Sequence, residues 1–345
     1  MARLPIVDVH THVLTEETIR QLQQEAPQIG LTLTDFDEDG ATLEVAGIHQ
    51  KPFPRSAWDL DRRFADMADY GVDMQVVANI PHTFLYEQDA AVTAACATIQ
   101  NDAIAGLTRR YPDRLMGIAT VPLQAPDLAA QELTRAMRQL GLKGVHIGSH
   151  VEGRNLDDPA LEPFWAAADE LQAFILVHPH KIAAGERMKS FYLKNLVGNP
   201  LETTIAAASL IFSGVIERFP GIRFCFAHGG GFVPYQAGRF RHGWSVRPEA
   251  RAHLPDGPDA SLSRLYYDTI LHSVENLQFL VESTGPSHVL LGSDYPFDMQ
   301  SLECVRQVRA LDVAQDVRDT ILHGGAVLFG AGERQSRAEM VDAAQ

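Results

Sequence analysis

Lysine is scarce in this chain. Among 345 residues it occurs only at Lys51, Lys143, Lys181, Lys189 and Lys194, and arginine carries most of the positive charge. Basic side chains number 29 against 44 acidic ones, for a net charge of −15. That balance argues against a nucleic-acid partner, which needs a basic footprint. It leaves room for a small anionic ligand, because a few buried cations suffice to bind a carboxylate. Cysteine is also rare: Cys96, Cys225 and Cys304 are odd in number and form no C-x-x-C pair. A disulfide framework is therefore not expected, and a reducing cytoplasm is the default location. No run of 18 apolar residues occurs, and MARLPIVDVHTH lacks the shape of a signal peptide, so no membrane association is expected. G-x-G-x-x-G is absent, which removes the usual dinucleotide-binding turn.

The chain instead has eight short apolar runs: 4–12, 72–81, 115–122, 142–150, 173–180, 222–230, 264–270 and 288–296. Their near-continuous Val, Ile, Leu and Phe content suits parallel strands covered on both faces. Helical periodicity lies between most of them, at 89–112, 127–141, 161–172 and 200–219. Eight such alternations predict an α/β fold of the (β/α)₈ barrel type. Residues 29–55 break the alternation and read as a small β insertion around the Asp39–Gly40 turn. The expected organisation is one barrel domain over 1–345, with a frayed polar tail at 334–345.

Barrel enzymes carry their chemistry at the carboxyl ends of the strands. Here four of the runs end in metal-ligand residue types: His10-x-His12, His178, His228 and Asp294. Residues i and i+2 of a strand share a face, so His10 and His12 can grip one ion. Taken singly, Asp294 could cap a helix and His228 could cap the turn before Gly229; the joint placement at strand ends favours a metal site. Imidazole and carboxylate suit Zn²⁺, with Mn²⁺ or Fe²⁺ as alternatives.

In the order H-x-H, His, His, Asp, the chain resembles the amidohydrolase superfamily. It is most similar there to the 2-amino-3-carboxymuconate 6-semialdehyde decarboxylase family. The matching segments are DVHTHVL (8–14), ILVHPH (175–180), GERMK (185–189), PLETTIAAASLIFSGVIERFP (200–220), FAHGGGFVPYQAGR (226–239) and LGSDYPF (291–297). The resemblance implies that His10, His12, His178 and Asp294 are ligands, that His228 is the acid–base residue, and that Asp294 shares in catalysis. Two-metal relatives bridge their ions with a lysine at the end of strand four. That strand ends here in Gly148-Ser149-His150, with Lys143 at its start, so a single ion is expected.

The expected chemistry follows from charge. A divalent ion lowers the pKa of water to about 7, and a nearby unligated histidine can move the proton. The family's reaction would then be non-oxidative decarboxylation of a small conjugated or aromatic acid. The alternative is a hydrolase using the same activated water on an amide, ester or C–C bond. A non-enzymatic binder fits less well, because it needs no free base such as His228. An esterase reading of HGGG fails for want of a G-x-S-x-G elbow. The resemblance makes Arg239 a substrate contact that reaches a neighbouring subunit's site, which implies a homodimer. A second family arginine corresponds to Lys51, with Arg55 close enough to substitute. His180 and Lys181 stand where the family has tryptophan and aspartate, so His180, with Phe297 of the GSDYPF segment, is expected to line a pocket altered at its rim.

Overall fold

The computed structural model describes residues 4–331. In chain order its strands are β1 (Val7–Val13), β2 (Thr32–Thr34), β3 (Gly40–Val45), β4 (Ile48–Pro54), β5 (Met74–Asn79), β6 (Leu115–Gly117) and β7 (Gly144–Gly148). They continue as β8 (His150–Val151), β9 (Arg154–Asn155), β10 (Phe174–His178), β11 (Arg223–Phe226), β12 (Tyr266–Asp268) and β13 (Val289–Leu290). Two parallel sheets, β1-β5-β6 and β7-β10-β11-β12-β13, meet at both edges through bridges Ala119–Val145 and Thr11–Tyr295. The result is a closed barrel of eight parallel strands, as the alternating pattern predicts.

An inner cluster fills the barrel, with Val7, Val9, Met74, Val76, Met116, Ile118, Phe174, Leu176 and Cys225 among its members. Phe329 of the helix Gln315–Phe329 packs edge-on to Phe174, with ring centroids 5.0 Å apart. An outer cluster lies between strands and helices and includes Val77, Val145, Ile175, Phe224 and Tyr267. Alternate strand residues therefore face two dry layers, the reason the runs read as continuously apolar. The helices start where local chemistry dictates. Asp89 accepts from the N–H groups of Ala91 and Val92 and caps Ala90–Arg110. No helix among the described residues is long and apolar enough to cross a membrane.

The insertion is an antiparallel sheet, β2-β3-β4. The expected turn links β2 to β3: Asp37 Oδ1 accepts from the N–H groups of Asp39 and Gly40. A Cβ on Gly40 would run into the Phe53 carbonyl oxygen, so only glycine fits there. A second turn, at Ala46 (φ 49°) and Gly47 (φ 76°), joins β3 to β4. Leu43, Val45 and Phe53 pack with Leu14, Ile80 and Leu85, and Trp58 and Phe297 lean on the same cluster. The insertion thereby closes one side of the barrel mouth. The tail expected at 334–345 lies outside the described residues.

Candidate metal centre

The ligand set converges at the carboxyl end of the barrel. β1 shifts register against β5 between Asp8 and Thr11. That irregularity breaks strict alternation: Val7 and Val9 pack in the inner cluster, yet His10 and His12 meet above them. His178 ends β10. Asp294 lies beyond the end of β13 with a left-handed backbone (φ 61°), and its N–H donates to the His10 carbonyl at 2.9 Å.

One donor atom from each of His10, His12, His178 and Asp294 lies within 4.8 Å of all the others, and all four residues are buried. His12 Nε2 is 3.1 Å from Asp294 Oδ1, His10 Nε2 is 3.4 Å away and His178 Nε2 is 3.9 Å away. The opposite nitrogens fix the tautomers. His12 Nδ1 donates to the Asn79 carbonyl and His178 Nδ1 to the Pro179 carbonyl, both at 2.9 Å. His10 Nδ1 donates to Asp268 Oδ2 at 2.7 Å. Carbonyls and carboxylates only accept, so the Nε2 atoms carry lone pairs aimed at one another and at a carboxylate. His10 Nε2 and His12 Nε2 stand 3.2 Å apart in this way, and His178 Nε2 is buried with no hydrogen-bond partner. Four acceptors crowded together without a donor fit a cation. Among the described residues this is the one such group.

The electrostatics agree. Burial drives the His178 pKa well below its ordinary value and lowers that of His12. Burial also disfavours the Asp294 carboxylate, but the imidazoles packed around it, His12 and His228 first, outweigh burial and hold its pKa well down. For His10 burial is overcome by Asp268 and Asp294, which raise its pKa, so a proton and a metal compete for its Nε2.

His228 sits on the other side of Asp294, with Nε2 3.3 Å from Oδ2 and Nδ1 sealed without a partner. Its backbone is left-handed, at φ 56°. Asp268 secures that turn by accepting from the N–H groups of His228 (2.9 Å) and Gly229 (2.8 Å). The following glycines are required by close approach: a Cβ on Gly230 would strike Tyr267, and one on Gly231 the Pro200 carbonyl. A cleft of ≈ 400 Å³ opens beside His228, lined in part by Asn195, Leu196, Phe232, Leu271, His272 and Met299.

The other sequence-predicted contacts are distributed unevenly. Phe297 stands with its ring 5.2 Å from that of His12. His180 is buried deeper than a rim position, with Nε2 3.3 Å from Glu87 Oε1. Lys51 and Arg55 are exposed on the insertion and pair with Asp35 (3.3 Å) and Asp59 (3.0 Å), and neither forms an ion pair with Asp294. Arg239 is exposed on the helix Val233–Val246 and has no ion pair among the described residues.

Sequence reasoning missed several supporting residues. Asp268 ends the run RLYYD as Asp294 ends its own run, and that parallel was the available signal. His146 lies within strand β7 and donates from Nδ1 to Asn79 Oδ1 at 3.0 Å. Arg63 is fully buried: it donates to the His12 and Ser56 carbonyls and to Gln75 Oε1, and lies 4.7 Å from the Tyr295 ring centre. It thus ties the strand of His12 to the segment after Asp294.

Comparison with known proteins agrees with this architecture. The amidohydrolase family profile matches residues 7–327. The chain belongs to the amidohydrolase family. This amidohydrolase is 33% identical over 325 residues to 2-amino-3-carboxymuconate-6-semialdehyde decarboxylase of Dictyostelium discoideum, covering 94% of this chain and 90% of that protein. It is 27% identical to a gamma-resorcylate decarboxylase of Rhodococcus jostii, over 71% of this chain and 82% of that one. Its fold superposes with a TM-score of 0.79 on a 5-carboxyvanillate decarboxylase of Novosphingobium aromaticivorans carrying bound manganese. That protein is 22% identical, with 95% of this chain and 97% of that one covered.

Proposed function

We propose that the chain is a metal-dependent, non-oxidative decarboxylase of a small conjugated or aromatic carboxylic acid. The observation that carries this reading is the double use of Asp294. Its Oδ1 faces three imidazole lone pairs, and its Oδ2 faces His228 Nε2 at 3.3 Å. A cation site and a movable proton thus share one carboxylate, an arrangement that a purely structural ion does not need. Family membership and two relatives named as decarboxylases support the same reaction class.

A divalent ion held by His10, His12, His178 and Asp294 supplies Lewis-acid charge that polarises a neighbouring oxygen and acidifies water. We take it to be Zn²⁺, on the ratio of three imidazoles to one carboxylate, with Mn²⁺ or Fe²⁺ as alternatives. His228 moves the proton. Delivery from Nε2 to the carboxyl-bearing carbon makes that carbon tetrahedral. The electrons of its bond to the carboxylate then return to the conjugated system as CO₂ departs, and the delivered proton stays on the product. Asp294 orients His228 from one side while Asp268 fixes its turn from the other.

Phe297 offers a flat apolar face to a ring, and His180 a polar wall. Arg239, exposed and without an ion pair among the described residues, is assigned to a partner subunit's substrate in a homodimer. Exposed Phe191, Tyr192, Leu196, Phe232 and Tyr235 give such a dimer apolar surface to bury. Lys51 and Arg55 stand as the second cation only if their exposed pairs open on substrate binding. We further take 1–345 as a single barrel domain and place it in the cytoplasm, with its three cysteines unpaired. The test is to assay the metal-loaded protein for CO₂ release across hydroxybenzoates, picolinates and carboxymuconates. Ammonia or alcohol release from the matching amides and esters, without CO₂, makes the enzyme a hydrolase instead.

A further inference from the structure

We propose that Arg63 is a positioning residue of the metal centre: its helix, Leu60–Tyr70, grips the seam that joins the first barrel strand to the last, and so sets His12 against Asp294. Arg63, Asp66 and Tyr70 are spaced i, i+3 and i+7, which puts them on one face of that helix. All three meet Tyr295, the residue after Asp294. The Arg63 guanidinium lies 4.7 Å from the Tyr295 ring centre, Asp66 Oδ2 accepts from the hydroxyl at 2.7 Å, and the Tyr70 ring stacks with its centroid 6.4 Å away. The Tyr295 carbonyl in turn accepts from the His12 N–H at 2.7 Å. Arg63 completes the circuit: one nitrogen donates to the His12 carbonyl and, at 3.2 Å, to that of Ser56. Both backbone polar groups of His12 are thereby held, the N–H by Tyr295 and the carbonyl by Arg63.

The network continues beneath the site. Arg63 Nη1 donates to Gln75 Oε1 at 2.8 Å, Gln75 Nε2 donates to the Tyr70 hydroxyl at 2.6 Å, and that hydroxyl donates to Asp8 Oδ2 at 3.0 Å. Asp8 Oδ1 also accepts from the N–H groups of His10 (3.2 Å) and Ser293 (3.1 Å). An unbroken chain of hydrogen bonds therefore joins the backbone of His12 to that of His10 and to the residue before Asp294. His10 is anchored through its own N–H, His12 through its carbonyl, and Asp294 through its neighbours on both sides. Arg63 is fully buried, and burying a guanidinium is costly unless its donors find partners. An apolar side chain would pack the same helix face without that cost. What the guanidinium adds is direction. Its flat fork reaches acceptors on three separate segments, at His12, Ser56 and Gln75, which a flexible ammonium cannot hold together. A functional constellation tolerates play of only about 0.5 Å, so a seam free to slide would spoil it.

This inference rests on the metal centre of the proposed function, and not on the reaction. The experiment compares the full chain with Arg63→Lys and Arg63→Met. Chelator competition measures zinc affinity, the visible bands of the Co²⁺-loaded protein report ligand geometry, and thermal unfolding of the metal-free form reports the fold. Zinc affinity should fall about tenfold or more in Arg63→Met, with a smaller loss in Arg63→Lys. The cobalt bands should move in both. A merely structural role would lower the unfolding temperature and leave affinity and bands at the parent's values, and that result overturns the inference. If the Arg63 variants do not fold, Tyr295→Phe carries the test, because it loses the Asp66 bond and keeps a ring beneath the guanidinium. It should weaken zinc binding and shift the bands in the same sense, and parental values there overturn the inference. A parent chain that binds neither ion removes the metal centre, and this inference with it. Weakened binding in variants of a parent that releases no CO₂ supports the inference and removes only the decarboxylase reading.

Discussion

Asp268 holds His10 and His228 at once. Its Oδ2 accepts from His10 Nδ1 at 2.7 Å and from the His228 N–H at 2.9 Å, while Oδ1 accepts from the Gly229 N–H at 2.8 Å. One buried carboxylate therefore orients a ligand and shapes the turn that presents the proton carrier. Asp268→Ala should weaken metal affinity about 10–100-fold, the usual cost of losing a partner behind a ligating histidine. Activity should fall further even at saturating metal, because the His228 turn loses its acceptors. Competition with a chelator measures the first effect, and unchanged affinity would rule out the orienting role.

The two sides of Asp294 should respond differently to mutation. His178→Ala removes a ligand, so metal content and turnover should drop together. His228→Ala should retain the metal and lose on the order of 10²–10⁴-fold in kcat. Metal analysis beside a turnover assay separates the cases. Full occupancy in His178→Ala, or near-normal kcat in His228→Ala, contradicts the assignment.

Arg239 tests the shared site. If it serves a partner's substrate, Arg239→Ala homodimers should be nearly inactive although metal-loaded. Mixed with inactive His228→Ala dimers, they should regain activity as subunits exchange. One site of each mixed dimer then combines an intact His228 with an intact Arg239 from the other chain. Demonstrated exchange with no recovered activity would falsify the cross-subunit role.

Glu87 should leave a pH signature. Its folded-state pKa of about 2 lies below its ordinary 4.5. The charge therefore stabilises the fold fully above pH 4.5, and that contribution fades as pH falls toward 2. Glu87→Gln should be less stable than the parent at pH 6 by about 1 kcal/mol, since the pair is partly screened by solvent. The gap should narrow between pH 4.5 and 3 in urea titrations. A gap that is constant across that range would show that packing, and not charge, is lost.

The barrel was legible because both faces of its strands are dry, so each strand left an unbroken apolar run. The ligands were legible because they end those runs. Neighbouring strand ends in such a fold are brought to one rim whatever the intervening sequence. Arg63 was not legible: within LDRRFADMADY it looks like any solvated helix arginine, and its acceptors on His12, Ser56 and Gln75 become neighbours only through the fold. His146 was hidden for the opposite reason. It is a single histidine in apolar surroundings, the commonest guise of an unremarkable core residue. The turn at Ala46–Gly47 escaped because alanine gives no local signal for its φ of 49°.

The seam between Thr11 and Tyr295 has a consequence for biosynthesis. His12 and Asp294 are 282 positions apart, yet they meet at the one junction where the first barrel strand closes against the last. A nascent chain exposes H-x-H first and must add 282 residues after His12 before the carboxylate arrives. Until then the early histidines are an incomplete chelate, open to whatever ion the cell supplies. The complete coordination set, and with it the choice of metal, becomes available only at the last step of barrel closure.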